Sequence, residues 1–454
     1  MRDSTELQGP TCRPACRSCT SYRPAASRAT VLRAVRAVRA GTLVLIVLSA
    51  AAAAADDDSK RLRLRGLLDF RIGATDKTES WLDGGLGKLR YGGDGRASGA
   101  LARLSQCSIL FSLRANDSTS VRAQVNIDAD PRSYDLGSRI QPIEAYLSYR
   151  PVLSPYLRLK TRAGLFFPEI SLENTGPGWT TPYTITPSAA NSWIGEEVRT
   201  IGAEASLVGG YLSNEFTFTF AAYGYNDPAG VLLAWRGWAI HDRQTGAWER
   251  LPLIRPALYS RRGHLPAYAT PFDPFREIDG RVGWYSSARW KSGGWLDTNY
   301  FYYDNRADPL AFDGSQYAWH TRFSNLGVHL STPGNLDLLG QSMWGWTMMG
   351  GPTPRVYTGF YANYVMLSQT WGPSRFSIRF DRFWNTDLDH RGPSDDNGES
   401  GTGWTGAMIV NTTEHNRIAV ELIHLRSRRP ERDSQDLPVE AAEVLVQLSF
   451  RILI

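Results

Sequence analysis

Residues 61–72 have the sequence RLRLRGLLDFRI, in which apolar and charged side chains alternate. A strand places successive side chains on opposite faces. One face of this segment holds Leu62, Leu64, Leu68, Phe70 and Ile72, and the other holds Arg61, Arg63, Arg65, Asp69 and Arg71. The pattern predicts a β-strand with one apolar face and one charged face.

The same alternation recurs along the chain. Further segments begin at Val121, Ile143, Leu157, Phe216 and Phe376, and residues 444–454 have the sequence VLVQLSFRILI. Polar faces this charged cannot be packed into a dry core, and stripes of Leu, Val and Phe are poorly placed in water. We therefore expect a sheet with lipid on one face and water on the other.

A soluble β-sandwich is the alternative, with polar outer faces around an apolar interior. The aromatic content favours the membrane, because the chain has 15 Trp, 20 Tyr and 17 Phe. Aromatic side chains form girdles at the two membrane interfaces of transmembrane barrels. The Trp residues at predicted segment ends are Trp290, Trp295, Trp371, Trp384 and Trp404.

The connections between the segments alternate between short and long. Short turns are predicted at 115–118, 151–155, 209–210, 291–294, 332–335, 371–374 and 414–416. Long links are predicted at 74–98, 131–141, 168–197, 227–277, 304–315, 350–355, 385–402 and 427–438. The fold class is therefore all-β: a closed antiparallel transmembrane β-barrel of about 16 strands, with short periplasmic turns and long extracellular loops.

Two features widen the expected strand number to between about 14 and 18. Residues 101–113, 316–330 and 336–348 alternate poorly. Residues 238–251, around Gln244 and Gly246, could add a hairpin inside the fourth long loop.

The N-terminus resembles a secretory signal. Arg33, Arg36 and Arg39 precede an apolar run that begins at Thr42 and ends in alanines. The run is shorter than the roughly 20 residues that a membrane-spanning helix needs, so we expect cleavage after Ala55 and not a retained anchor helix. Residues 1–55 are the predicted leader, with the true translation start near Val31, and residues 56–454 form a single barrel domain.

Charge and cysteine content argue against two kinds of protein: one that binds nucleic acid and one held together by disulfides. The leader holds eight Arg and two acidic residues, so residues 56–454 carry 42 basic and 43 acidic residues, a net charge of −1. That balance argues against nucleic acid as a partner. Cys107 alone remains after cleavage, so no internal disulfide is expected. The seven His are scattered, and neither a metal site nor a cofactor is predicted.

The signal, the alternating segments, the loop rhythm and the apolar C-terminal strand together resemble a Gram-negative outer-membrane porin. Residues 80–87, SWLDGGLG, and 191–197, NSWIGEE, resemble segments of poorly characterised proteobacterial porin-like proteins. The resemblance implies location in the bacterial outer membrane, contact with outer-membrane lipid and the barrel-assembly machinery, and a homotrimer. Porins usually end in Phe, whereas this chain ends in Ile454 with Phe450 as the last Phe.

The charged face of each strand should line the pore, since sixteen strands leave an aqueous channel. The predicted pore-lining residues are Arg63, Arg65, Arg71, Arg122, Arg158, Lys160, Arg162, Arg379 and Asp381. This lining predicts passive diffusion of small polar solutes or ions, with at most a slight anion preference.

The third long loop, 168–197, lies where the resemblance implies an inward fold that narrows the channel. Its predicted constriction residues are Glu169, Glu173, Glu196 and Glu197, which would face Arg122, Arg158 and Arg162 across the pore and create a transverse field. A solvated surface loop is the alternative.

Other functions remain as alternatives. A barrel enzyme acting on lipid could use His320 and Ser324, but four residues along a strand are roughly 13 Å, too far for proton transfer. We therefore predict that the protein is not an enzyme. A barrel for polysaccharide export, or one with a structural role, differs from a porin mainly in lumen width and partners.

Overall fold

The structure is a computed structural model that describes residues 61–127, 139–254, 271–351, 355–389 and 396–454. The predicted leader, its cleavage site and the start near Val31 lie outside these residues. The strands, in chain order, are β1 (Leu62–Thr75), β2 (Ala100–Arg114), β3 (Thr119–Ile127), β4 (Ile140–Tyr149), β5 (Val152–Ser154), β6 (Leu157–Phe166), β7 (Thr200–Tyr211), β8 (Asn214–Gly224), β9 (Gly283–Ser292), β10 (Leu296–Asp304), β11 (His320–Ser331), β12 (Leu336–Gly350), β13 (Arg355–Trp371), β14 (Ser374–Asp387), β15 (Glu399–Asn411), β16 (Asn416–Arg428) and β17 (Glu440–Leu453).

The strands form one closed antiparallel sheet. Each pairs with its neighbours in sequence, and β1 pairs on one side with β2 and on the other with β17, where Phe70 lies opposite Phe450. Closure gives every strand two partners, which a bilayer requires because it offers no water to an unpaired backbone group.

The wall has 16 strands, as the sequence predicted. Of the 17 strands in the sheet, β5 is a three-residue continuation of β4 that pairs with the same neighbour, β6. Pro151 lies between β4 and β5 and has no N–H to donate to the ladder, so the strand is interrupted there.

Burial alternates along each strand as the sequence does, but here the apolar side chains are exposed and the polar side chains are buried. Phe70 and Ile72 on β1 are 43% and 54% exposed, whereas the intervening Asp69 and Arg71 are 0% and 1% exposed. Apolar side chains therefore face outward and polar side chains face the lumen. Exposed aromatic residues lie near both ends of the wall: Trp290, Trp295 and Trp371 at the short-turn end, and Trp404 towards the long loops.

The loop rhythm is confirmed, with two local differences. The turn predicted at 209–210 lies at 212–213, because β7 continues through both glycines to Tyr211 and Leu212 adopts a left-handed φ of 53°. The hairpin proposed for 238–251 is wrong. That segment forms no strand, because its backbone binds inserted and wall residues instead: Trp238 N–H donates to Glu399 and Thr245 N–H to the Gly195 carbonyl.

Parts of the long loops fold into the barrel. Two helices lie there, α1 (Ala189–Glu197) and α2 (Val231–Trp235), and all of their residues are buried. One apolar cluster joins Trp193 and Ile194 of α1 to inward-facing side chains from strands all around the wall, including Phe166, Phe301 and Leu445. The long-loop half of the lumen is thus densely packed. No helix among the described residues is long and apolar enough to cross a bilayer.

Candidate functional site

The third long loop enters the lumen through helix α1. Ser188 caps the helix by accepting a hydrogen bond from Asn191 N–H, and two alanines, which favour helix, follow it. Glu173 Oε1 accepts hydrogen bonds from Ser188 N–H at 2.8 Å and from Asn191 Nδ2 at 2.6 Å. Because the buried carboxylate holds the start of the helix, the loop has a defined shape inside the barrel.

The loop is bound to the wall opposite its own strands. It leaves β6, and β14 lies eight positions further around the wall. Arg379 on β14 donates to the Thr186 and Pro187 carbonyls at 2.7 and 3.0 Å and to Asp381 at 2.7 Å. Charge-assisted bonds of this kind are the strong ones in a protein interior. The segment therefore crosses the full width of the lumen.

A second carboxylate on the same wall binds the loop backbone. Glu421 on β16 accepts from Ile185 N–H at 2.7 Å and from Thr186 N–H at 3.0 Å. Gln447 on β17 donates to both Thr186 Oγ1 and Glu421. Buried backbone groups that lack strand partners are satisfied in this way by wall side chains.

The third and fourth long loops are joined by buried ion pairs. Glu196 of α1 binds Arg236 at 2.6 Å and lies 2.9 Å from His241 Nε2. Glu197 accepts from Trp193 Nε1 at 2.5 Å and from Leu232 N–H at 3.0 Å. Both carboxyl groups are fully buried.

These two neighbours have opposite pKa shifts. Burial acts to raise the pKa of Glu196, but the charges of Arg236 and His241 lower it to about 2. Burial raises the pKa of Glu197 to about 8, although the bonds from Leu232 and Trp193 oppose that rise. Glu196 therefore favours the inserted loops above its ordinary value of 4.5, and that contribution is lost as the pH falls towards 2. Glu197 favours them below 4.5, and its contribution is lost as the pH rises through about 8.

We expect the inserted loops to resist trypsin best near about pH 4.5, where the contribution of Glu196 is complete and that of Glu197 has not yet declined. The rate of cleavage within 172–254, divided by the rate for the unfolded chain at the same pH, should increase as the pH rises from 4.5 towards 8 and as it falls below 4.5. Glu197→Gln, which mimics the protonated acid, should remove the increase on the alkaline side and keep the one on the acid side. A ratio independent of pH on the alkaline side would contradict this assignment.

The fourth loop binds the wall near the start of the chain. Asp242 accepts from Arg71 Nη2 at 2.5 Å and from Arg90 Nη1 at 3.0 Å. Gln244 accepts from Gln124 Nε2 at 2.8 Å. The first long link is inserted as well, since Lys88 is fully buried and pairs with Glu399 of β15.

The predicted pore-lining residues divide into two groups. Arg63, Arg65, Arg122, Arg158 and Lys160 lie towards the short-turn end and are partly or fully exposed. Arg71, Arg162, Arg379 and Asp381 are buried. The second group faces inward but does not line water, because inserted segments or neighbouring wall side chains cover it; Arg162 is held by Glu204 through two bonds of 2.8 Å.

The predicted arrangement of the acidic residues needs correction. Glu169 lies 3.8 Å from Arg162, with 71% of its side chain exposed. Glu173, Glu196 and Glu197 do not face Arg122, Arg158 and Arg162: they bind Ser188, Arg236 and Trp193 respectively. Their spacing in sequence suggested a row of free charges. Because they are buried among the inserted loops, each instead requires a hydrogen-bonding or charged partner.

Two cavities on the inner side of β2 and β3 have polar linings. A vestibule of about 280 Å³ lies at the short-turn mouth between β1, β2 and β3. Its basic lining residues are Arg61, Arg63, Arg114, Arg122 and Arg150. Further along β2 and β3 a crevice of about 50 Å³ separates the wall from residues 242–244, with Gln106, Asn126 and Arg90 among its lining.

The residues considered for catalysis do not form a site together. His320 Nε2 lies 3.0 Å from Asp304, while Ser324 Oγ lies 3.1 Å from the Tyr300 hydroxyl. Strand β11 carries both His320 and Ser324 and places their side chains on the outer wall. The prediction that the protein is not an enzyme stays a prediction.

Neither a protein-family model nor a curated protein matches the sequence. Solved structures do match. The outer membrane channel DcaP of Acinetobacter baumannii is 10% identical over 88% of this chain and 99% of its own, with a TM-score of 0.54. An anion-selective porin from Comamonas acidovorans is 11% identical over 87% of this chain and 99% of its own, with a TM-score of 0.50.

This chain has the fold of an outer-membrane porin. The predicted fold class is therefore confirmed, and the porin fold, together with the exposed apolar outer wall, places the chain in the bacterial outer membrane. Sequence reasoning missed how much of the first, third and fourth long loops, together the plug, is packed inside the barrel. Lys88, Arg236 and His241 all lie in it, and the signal available for them was a charged residue next to apolar or aromatic neighbours in a long loop, as in AWRGWAIHD at 234–242.

Proposed function

We propose that the protein is an outer-membrane channel for the passive diffusion of small polar solutes or ions. The observation that carries this proposal is the polar strip along the inner faces of β2 and β3. The vestibule and the crevice both lie against these faces, while much of the long-loop half of the lumen is packed with aromatic and aliphatic side chains.

The route we propose begins among the arginines at the short-turn mouth. In this proposal it continues from Ser112 of the vestibule to Gln106 of the crevice, and passes residues 242–244 of the fourth loop. Hydroxyl and amide groups along a narrow path can replace part of a solute's hydration. A crevice of about 50 Å³ has room for ions and small solutes.

In this proposal the third and fourth loops both narrow the channel. The third loop packs in the half of the lumen near β11 to β16, and residues 242–244 of the fourth loop border the crevice beside β2 and β3. Glu169 supplies an exposed carboxylate near the water-filled part, 3.8 Å from the buried Arg162 guanidinium. In this proposal a transverse field is limited to this position and does not extend along the whole loop.

The vestibule supports a preference for anions. Five arginines line it against a single carboxylate, Asp117. Basic side chains in a confined, water-filled mouth raise the local concentration of anions. The anion selectivity stated for the Comamonas acidovorans porin is in accord with this proposal.

Ion selectivity in planar bilayers tests the proposal. Under a KCl gradient we expect a reversal potential that shows chloride to be more permeant than potassium. The double variant R114Q/R122Q should move the permeability ratio at least about twofold towards cations, because focused charge sets local ion concentration. The control R250Q/R276Q removes two exposed loop cations and should leave the ratio unchanged. Refolded protein without conductance would refute the channel itself.

The remaining partners are proposals as well. We propose that the barrel contacts outer-membrane lipid, that the barrel-assembly machinery inserts it, and that it forms a homotrimer. Polysaccharide export suits this lumen poorly, since a polymer would have to displace both inserted loops. A structural or lipid-hydrolysing role is what an absence of conductance would leave.

A further inference from the structure

One short stretch of the wall separates the two polar cavities. On β3, Arg122 lines the vestibule and Asn126 lines the crevice. Gln124 lies between them on the same inward face, paired across the sheet with Leu110 of β2. Four residues along a strand span roughly 13 Å, so the two cavities are close neighbours. A solute that moves between them along this face must pass Gln124.

A side chain of the fourth loop covers Gln124 at this point. Gln244 Oε1 accepts hydrogen bonds from Gln124 Nε2 at 2.8 Å and from Asn126 Nδ2 at 3.3 Å. Gln244 Nε2 donates to the Gly178 carbonyl of the third loop at 2.7 Å. Direct bonds of this length leave no space for a water or a solute between the groups. We call Gln244, Gln124, Asn126 and Gly178 the closing contact, since they join the wall to both loops between the two cavities.

The closing contact consists of neutral groups. Its members supply side-chain amides and one main-chain carbonyl, and Ser108 extends it by donating to Asn126 Oδ1 at 2.6 Å. Exchanging a neutral hydrogen bond for one to water changes an equilibrium only roughly fivefold. Breaking a buried ion pair such as Glu196 with Arg236, which joins the same two loops, costs far more. The closing contact can therefore open while the loops stay in the barrel.

The main chain on both sides of Gln244 is held by other bonds. Asp242 accepts from two arginines, one on the wall and one in the first long link. Thr245 N–H donates to the Gly195 carbonyl at 3.1 Å. Gln244 also borders the crevice, so its amide has unfilled space beside it. The side chain can therefore turn without any movement of the loop that carries it.

We propose that the Gln244 side chain closes the route between the vestibule and the crevice, and that the route opens when its amide turns away from Gln124 and Gly178. This inference rests on the proposed channel function and names the residue that limits its conductance. Turning frees the amide donors of Gln124 and Asn126, which then replace part of the hydration of a passing anion. Because the closing contact is neutral, selectivity for the sign of charge remains with the arginines of the vestibule.

Conductance and reversal potential of the full refolded chain in planar bilayers, measured in KCl, test the proposal. Q244A should raise the conductance at least about twofold, because it removes the bonds that favour the closed position, and should leave the permeability ratio unchanged. Q244E has nearly the same size but places a negative charge at the narrowest point, so it should move the ratio at least about twofold towards cations.

Gln341 provides the matched control. It is a buried glutamine of β12, on the opposite wall, and it accepts from Asn191 Nδ2 of α1 at 3.0 Å. Q341A therefore removes an amide that also binds an inserted loop, but away from the crevice, and should leave conductance and ratio near the wild type. Chymotrypsin should spare Trp179 in Q244A as it does in the wild type, since the third loop stays in place.

Several results would overturn the proposal. Equal conductance in Q244A and Q341A, whether unchanged or raised, would show that the Gln244 amide does not close the route. An unchanged ratio in Q244E would show that ions do not pass Gln244, and cleavage at Trp179 in Q244A would assign any rise in conductance to release of the third loop. Q244S replaces either variant if it lacks heat-modifiable migration on a gel. Absence of conductance in the wild type and all variants would refute the channel as well, whereas a conducting wild type that Q244A matches refutes this inference alone.

Discussion

Replacing residues 172–190 with a Gly/Ser segment of equal length is expected to raise the single-channel conductance several-fold. This segment carries the backbone groups that bind Arg379, Asp381 and Glu421 on the opposite wall. Without the Ser188 cap and the following alanine, α1 loses its first turn and its fixed position. A 16-strand wall encloses an aqueous lumen where nothing fills it, so conductance should rise, although the fourth loop and the first long link still occupy part of the lumen.

The measurement is the conductance of refolded protein in planar bilayers at high salt. The same kind of replacement at residues 309–315, an exposed part of another long loop, is the control and should leave conductance unchanged. Heat-modifiable migration on a gel should persist in both variants, because the ladder of the wall is untouched. Unchanged conductance in the 172–190 variant would place the route away from the third loop.

The barrel could be predicted from the sequence because the two faces of each strand meet different solvents. The strands that alternated poorly, β2, β11 and β12, are informative in retrospect. Phe323, Leu339 and Met343 face inward yet are apolar, since each is buried in the packed interior of the lumen. A break in the alternation was therefore a sign of a filled lumen and not of a missing strand.

The content of the lumen could not be predicted in the same way. Strand periodicity correctly places Arg71 and Arg379 on the inward side, but it does not say whether water or protein lies next to them. Glu196 and Arg236 are 40 residues apart in a region without strand periodicity, so only the folded chain brings them together. The serine and two alanines that precede NSWIGEE, residues 188–190, did carry a helix signal.

Arg379→Ala is expected to release the third loop while the barrel stays folded. The Arg379 guanidinium is fully buried and binds Asp381, the Glu173 carboxylate at 3.5 Å and two loop carbonyls. Removal leaves two carboxylates buried without their cation, which costs about 3–5 kcal/mol. The wall strands lose no backbone pairing, so the cost falls on the inserted state of the loop.

Limited chymotrypsin digestion of the detergent-refolded variant, read by mass spectrometry, should then show cleavage at Trp179, Tyr183 or Trp193 that the wild type resists. Arg375→Ala is the matched control. Arg375 lies four residues earlier on the same inward face, pairs with Asp337 at 3.2 Å, and is partly solvated. A partly exposed pair contributes only about 0–1 kcal/mol, so R375A should stay near wild type. Equal protease resistance in R379A and R375A would mean that apolar packing around Trp193, and not the buried ion pairs, holds the loop inside the barrel.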